Sequence, residues 1–276
     1  MQPKLFYILE KISSNRISSV FLCQYTCADT NSSTFIVIKV YNGFNNYIRS
    51  FERKAKMMQI SYKLKGLCNI IGRLNQFDII IDKANNQLYN HNGYGIIMEY
   101  VYGQTLEDFI YYGKYNAVDV LKIADRLFGI ISGFHQQGFI HRDIKPENIM
   151  INDDLNMKII DFQFSTKAEK SNEVCGTYIY MAPEILKKEE YTMACDVYSF
   201  GLLLFKLVEK ENIFNLIYPD ETKLNDINTM ILINGYEDKL DEYCRSDLWK
   251  ACPELKTVLE KCLKVNPNER LKSVYI

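Results

Sequence analysis

The sequence predicts an α+β protein with a small antiparallel β region first and a larger, mostly α-helical region after it. Three observations carry this. Between Leu5 and Val40 the runs LFYIL, VFLCQY and FIVIKVY alternate with polar turns, the pattern of a three-stranded antiparallel meander. From Ala117 onward, Val120, Ala124, Leu127, Phe128, Ile131 and Phe134 recur at three- and four-residue spacings, which predicts a long amphipathic helix. The chain has 276 residues, 47% of them hydrophobic, enough core for one large domain or a two-lobed unit.

In chain order, the meander is followed by a second helical pattern. Ile48, Phe51, Ala55, Met58 and Tyr62 mark one buried face. A loop rich in Asn and Gly, Asn85 to Gly95, leads into the strand YGIIMEYV and the linker VYGQTLEDF. The helix beginning at Ala117 closes near Gly138, since glycine ends helices readily. DVYSFGLLLFKLVEK is apolar nearly all round and therefore reads as a buried helix, with Asp196 placed to act as its N-cap. PELKTVLEKCLKVNPNERL is a further helix and a turn.

Composition excludes several classes. A net charge of −1 gives no steering toward nucleic acid or an anionic membrane. The longest apolar run, Gly201 to Val208, is too short to span a bilayer, and MQPKLFYILE lacks the apolar core of a signal peptide. The 8 cysteines are scattered without a CxxC pair or a histidine cluster, so reduced thiols in an intracellular, cytoplasmic protein are expected rather than a disulfide framework or a zinc site. No GxxxxGK[ST] is present, which removes a P-loop ATPase.

The chemistry concentrates between Phe139 and Met150, FIHRDIKPENIM. Asp143, Lys145 and Asn148 stand at spacings too irregular for one face of a strand and are too charged for a buried helix. A loop is the natural reading, with Pro146 removing a backbone donor. Shortly after it, KIIDFQF ends a β-rich run on Asp161. Two acid-bearing turns at strand ends suggest a metal–phosphate site, because hard cations take oxygen ligands and phosphoryl transfer needs a positioned base.

HRDIKPEN, DF, GTYIYMAPE and DVYSFG, in this order and spacing, resemble the eukaryotic protein kinase family, and the likeness runs from near Leu5 to Arg270. The resemblance implies a single two-lobed kinase domain over residues 1–276, with an N-lobe to 98, a hinge over 99–105 and a C-lobe from 106. It implies ATP and Mg2+ as cofactors and a protein substrate offering Ser or Thr, with no nucleic-acid or membrane partner. Asp143 is then the base, Lys145 the neutraliser of the γ-phosphate, and Asn148 and Asp161 the metal ligands. Lys39 holds the α- and β-phosphates, although a lysine snorkelling from a strand end is the plainer alternative. Glu52 is its partner, being the one glutamate between Lys39 and Glu99, with a solvated helix-flank charge as the alternative. Ile12, Val20, Val37, Met98 and Met150 line the adenine site, whose backbone contacts come from the Glu99 carbonyl and the Val101 N–H. Thr177 and Lys145 together resemble the serine/threonine type, Arg270 matches the partner of Glu184, and Asp196 matches the aspartate that anchors the backbone of the catalytic loop, a role compatible with its cap.

Three departures stand out. Ser13, Asn15 and Ser18 fill the family's glycine positions in SSNRISSV, at a cost of about 1 kcal/mol or more each wherever a positive φ is needed. Gln163 replaces the glycine of DFG, and Thr105 stands where an acidic ribose partner often sits. The resemblance therefore implies an ATP-dependent serine/threonine protein kinase. A pseudokinase acting as a nucleotide-binding or scaffolding module is the alternative. A small-molecule phosphotransferase is disfavoured by the GT…APE segment from Gly176 to Glu184. Glu173, four residues before Thr177, is placed to meet Arg142 through its carboxylate.

Overall fold

The computed structural model describes residues 4–14, 16, 18–27, 32–41, 64, 66–74, 77–89, 94–217 and 240–272. The chain divides into two compact units, Met1–Val101 and Tyr102–Ile276. The expected helix over Ile48–Tyr62, and with it Glu52, lies outside the described residues, as does Asn15.

The first unit is a sheet. β1 (Leu5–Ser14), β2 (Ser18–Thr26) and β3 (Ser33–Tyr41) form the predicted antiparallel meander. β4 (Ile70–Arg73), β5 (Ile79–Asp82), β6 (Gln87–Leu88) and β7 (Gly95–Glu99) complete seven strands in the order β4-β7-β3-β2-β1-β5-β6. β4 and β5 are close in sequence yet lie toward opposite ends of that order, and β5 runs parallel to β1. The sheet therefore curls, and Leu74 and Ile80 enter the same core as Phe6, Ile8, Phe21, Cys23, Ile36, Ile38, Val40 and Ile97. Strand alternation sorts the rest. Phe21, Ile38 and Ile97 form one cross-strand row of that core. The rows on either side, Val20–Lys39–Ile96 and Leu22–Val37–Met98, therefore project from the opposite face.

The second unit is mainly helical. α1 (Leu106–Tyr112) starts at Thr105, whose hydroxyl accepts from the Asp108 N–H at 3.0 Å. α2 (Ala117–Gln136) starts with a reciprocal capping box between Asn116 and Asp119. All six residues that predict this helix are buried, and Gly138 takes φ 79° just beyond it. α3 (Ala194–Glu209) is buried along nearly its whole length, as its apolar sequence demands. α4 (Pro253–Cys262) buries Leu255, Val258, Leu259 and Cys262 and is followed by a 3-10 turn, Pro267–Glu269. Two small sheets hold the loops: β8 (Gln104–Thr105) pairs with β10 (Ile149–Ile151), which pairs with β11 (Met157–Ile159). β9 (Phe139–Ile140) pairs with β12 (Thr166–Lys167). Gly103, at φ 129°, is required at the turn into β8, since a Cβ there would lie 2.2 Å from the Ile151 carbonyl oxygen. None of the eight cysteines is in a disulfide. Among the described residues no helix is long and apolar enough to cross a membrane.

This is the α+β architecture the sequence predicts, an antiparallel-rich sheet followed by a helical unit. One local reading is corrected. Asp196 is not an N-cap: α3 begins at Ala194, and the carboxylate turns instead toward the loop at 141–142.

Candidate functional site

The loop after β9 is held from beneath by Asp196, which is fully buried. Its Oδ2 accepts the His141 N–H and its Oδ1 the Arg142 N–H, both at 2.7 Å, and His135 Nε2 lies 2.8 Å from Oδ2. Burial alone would raise the Asp196 pKa. The His135 hydrogen bond and charge, with smaller contributions from His141, outweigh burial and hold the carboxyl below its ordinary value. This brace permits Arg142 its φ of 70°, a left-handed backbone that a non-glycine residue adopts at a cost of about 1–2 kcal/mol. His141 packs its ring between Phe134 and Phe162, with centroids at 5.9 and 5.7 Å. Its Nδ1 accepts the Asp143 N–H at 3.3 Å. Burial lowers its pKa against the pull of Asp196, Asp143 and Asp161, so the ring is neutral.

Beyond the brace, the Asp143 carboxylate is fixed at both oxygens. Thr177 Oγ1 donates to Oδ1 at 2.8 Å and Asn148 Nδ2 donates to Oδ2 at 2.8 Å. Asn148 Nδ2 also donates to the Asp143 carbonyl at 2.9 Å. With its amide nitrogen committed, Asn148 is left with an oxygen to offer. Pro146 opens the 3-10 turn Pro146–Asn148, where its missing N–H costs nothing. Lys145, half-buried just before that turn, forms no ion pair among the described residues.

The pairing of β10 with β11 brings in the second acid. Ile149 pairs with Ile159, and the Ile160 N–H donates to the Asn148 carbonyl at 2.9 Å. Asp161 therefore directly follows a residue bonded to the Asn148 main chain. Its Oδ1 accepts the Gln163 N–H at 3.1 Å. Gln163 sits in a turn closed by the Ser165 N–H on the Phe162 carbonyl at 3.1 Å, and its φ is not positive. Glycine is not demanded there, and the substitution is tolerated without backbone strain.

The segment from Asp161 to Glu184 returns to this loop. Gly176, at φ 111°, passes so close that a Cβ would meet the Arg142 carbonyl oxygen at 2.3 Å, and this approach brings Thr177 onto Asp143. Arg142, 4% exposed as a residue, donates from Nε to the Phe164 carbonyl at 2.5 Å. Its Nη1 reaches Ser171 Oγ at 3.2 Å, Glu173 Oε2 at 3.1 Å and the Tyr191 hydroxyl at 3.2 Å. The expected Arg142–Glu173 pair thus exists, through one nitrogen rather than a bidentate fork. Further on, Glu184 and Arg270 make a buried two-armed pair, at 2.5 and 2.8 Å.

In the first unit, Lys39 is 9% exposed on β3, with its Nζ 6.0 Å from the Tyr41 ring centroid. Val20, Val37 and Met98 share its sheet face. Ile12 is half exposed at an irregularity in the β1–β2 pairing. Ser13 and Ser18 belong to the strands themselves, Ser13 opposite Val20 and Ser18 opposite Tyr41, and neither has a positive φ. The expected glycine-replacement cost is therefore absent at both positions. The Ser14 and Ser19 hydroxyls, 2.9 Å apart, close the hairpin further. Glu99 ends β7 and accepts the Asn69 N–H on Oε1 at 2.7 Å. The Val101 N–H meets no main-chain acceptor among the described residues. In the second unit Met150 is half-buried on β10, opposite Thr105, whose hydroxyl is committed to its capping role. Two residues of this network have no signal in the sequence: His135 and Tyr191 each stand alone and gain their role only through packing.

A family model described as a protein kinase domain matches residues 11–275. The chain is 32% identical over 179 residues to the serine/threonine-protein kinase STE20 of Eremothecium gossypii, covering 63% of this chain and 17% of that protein. It is 30% identical over 209 residues to the serine/threonine-protein kinase PrkC of Bacillus subtilis, covering 74% and 30%. It is 30% identical over 199 residues to a putative mitogen-activated protein kinase kinase kinase 7-like protein of Drosophila melanogaster, covering 69% and 48%. The matched segments span less than half the length of these relatives. With the match to the family model extending over nearly the whole chain, on the fold and loop geometry described, this protein belongs to the protein kinase domain family.

Proposed function

We propose that this chain is an active ATP-dependent protein kinase that transfers the γ-phosphate to serine or threonine hydroxyls of a protein substrate. The observation that carries the reading is the Asp143 carboxylate, held at one oxygen by Thr177 and at the other by Asn148 on a loop braced by Asp196. A carboxylate so fixed keeps a lone pair on each oxygen for the proton of an incoming hydroxyl, which is the positioning that phosphoryl transfer requires. Lys145, a cation without a carboxylate partner among the described residues, is suited to the charge of a transferring phosphoryl group.

The donor set fits magnesium. Asn148 would offer its amide oxygen and Asp161 its carboxylate, a reading supported by the Ile160 N–H bond to the Asn148 carbonyl one residue before Asp161. An ion bound there would supply neutralisation of phosphate charge. In the first unit, Lys39 would contact the α- and β-phosphates. Val20, Val37 and Met98 present an apolar face suited to adenine, with Ile12 and Met150 as further apolar contacts. The Glu99 carbonyl and the Val101 N–H would contact the base edge, and Glu52 remains the proposed partner of Lys39. The domain would run over 1–276, with the hinge at 99–105.

The test is transfer of labelled γ-phosphate to basic and casein-like substrates with magnesium, run beside Asp143→Asn and Lys39→Met. Transfer that vanishes in both variants supports the reading. Nucleotide binding with wild-type transfer no higher than that of the variants would establish the pseudokinase instead.

A further inference from the structure

The outer face of the first unit's sheet carries side chains that water does not favour. An open antiparallel-rich sheet packs one face on the core and shows the other to solvent, so its outward positions are ordinarily polar. Here Leu88, Ile81, Tyr7, Gln24 and Phe35 stand opposite one another in turn, one cross-strand row over β6, β5, β1, β2 and β3. Their strand neighbours Phe6, Ile8, Cys23, Ile36 and Ile80 fill the core, so the row itself projects outward. Four of its five members are apolar or aromatic, and Leu88 is 76% and Phe35 56% exposed in the intact chain. Leu5 and Ile79, paired beside the row, are exposed as well. The Tyr100 ring meets Phe35 edge-on, with centroids 6.2 Å apart, and extends the patch past β3. The row lies next to Leu22–Val37–Met98 and contains none of the residues proposed to hold adenine.

The size of the patch limits what it can hold. Strands lie about 4.8 Å apart and rise about 3.3 Å per residue, so the row is about 19 Å long and the stretch from Leu5 to Leu9 about 13 Å. With the width of the side chains at its margins, the patch covers on the order of 400–500 Å², toward the upper end for a lone monomer. Two such patches face to face remove about 800–1,000 Å² from water, the range of weak, reversible interfaces. Its charges allow self-pairing. Glu10, opposite Leu22, and Lys83, two residues beyond Ile81, flank one end of the same face, and neither forms an ion pair among the described residues. A copy turned about a twofold axis can set Glu10 of each chain on Lys83 of the other, whereas a partner charged with one sign gains nothing from such a rim.

We propose that this face, centred on Leu88, Ile81, Tyr7 and Phe35, is the interface of a weak twofold homodimer that dissociates in the micromolar range. The pairing is face to face. β6 and β4, of 2 and 4 residues, leave too little main chain for pairing at the edges. The proposal does not depend on the catalytic reading.

The test is sedimentation velocity of the intact chain over about 1–200 μM, a span that brackets the expected dissociation constant. The weight-average mass should climb with concentration from 32.3 kDa toward twice that value. Leu88→Asp and Phe35→Asp should each raise the dissociation constant by about tenfold or more. Tyr112→Asp, at an aromatic residue of α1 that is likewise 76% exposed, should leave it unchanged. Lys83→Glu and Glu10→Lys should each weaken association by about threefold, and an equimolar mixture of these two variants should regain the wild-type strength, because opposite charges then meet at both contacts. A wild type that stays at 32.3 kDa throughout overturns the dimer, and leaves the face to a different protein. Association indifferent to both Leu88→Asp and Phe35→Asp overturns the face, and a mixture no tighter than either charge variant alone overturns the twofold pairing. If thermal unfolding shows that Phe35→Asp destabilises the fold, Leu88→Asp, on the two-residue strand β6, carries the test.

Discussion

Asp196→Ala removes the acceptor of two main-chain N–H groups and the partner of His135, and its effect can be worked from the contacts. The N–H groups of His141 and Arg142 are buried and, among the described residues, meet no acceptor besides Asp196. Each buried donor left unsatisfied costs about 1–3 kcal/mol. Deleting a buried carboxylate relieves its own desolvation, which pulls the net toward the lower part of that range, about 2–4 kcal/mol. For a chain of this size about 2 °C accompanies each kcal/mol, so the melting temperature should fall by about 4–8 °C. The assay is thermal unfolding followed by circular dichroism, with Asp247→Ala as control. Asp247 pairs with Lys250 at 2.9 Å on the surface and is 92% exposed, so its loss should leave the melting temperature unmoved. Acidification adds a signature. The folded pKa of Asp196 lies below its unfolded value, so its stabilisation is complete above the unfolded value and is lost as pH falls through the folded one. That acid-side loss should be weaker in Asp196→Ala. Identical melting temperatures for the Asp196 and Asp247 variants would refute the brace.

Gly176→Ala should destabilise the protein by about 1–3 kcal/mol, through strain at φ 111° and the 2.3 Å approach to the Arg142 carbonyl, and should slow transfer by displacing Thr177; chemical denaturation and initial rates read both. Arg270→Met strands the Glu184 carboxylate in the interior, so a loss of about 3–5 kcal/mol is expected in denaturant unfolding. For His141, burial lowers the folded pKa below the ordinary 6.5, so stability is full above that value and declines as pH falls from it toward the folded pKa. His141→Phe, which suits the ring contacts with Phe134 and Phe162, should flatten that decline in unfolding measured from pH 7 to 5. Ser13→Gly with Ser18→Gly relieves no strain and loosens two strands by about 0.5–1 kcal/mol each; nucleotide affinity measured by calorimetry should weaken, and tighter binding would show that the serines obstruct.

The loop chemistry was legible because its residue types have few alternatives. Asp143, Lys145 and Asn148 within six positions, broken by Pro146, suit neither a strand nor a buried helix, and the structure puts them in a 3-10 turn and its approach. The meander and α2 were legible because each repeats its period several times. β5 and β6 offered only 4 and 2 residues, too few for an alternation to register. α1, at 7 residues with two acids in its first turn, read as linker for the same reason. Asp196 announced two uses, a cap from its place near the helix start and an anchor for the loop backbone from the resemblance, and the structure keeps only the second. His135 and Tyr191 could not be read at all. Their partners lie 61 and 49 residues away, and nothing local marks either side chain.

The hairpin of β5 and β6 bears on which main-chain edges the sheet leaves open. A ten-residue strand such as β1, left open, would present a row of free N–H and C=O groups to any passing chain. Here β5 occupies the first part of that flank, in parallel register from Leu5 to Ile8. Among the described residues the sheet then ends in β6, two residues long, and β4, four residues long with a break in its register. Edges so short and irregular make poor templates for intermolecular pairing. Residues 77–89 thus cover the edge of β1 from Leu5 to Ile8, and shortening this excursion would leave those main-chain groups open to another strand.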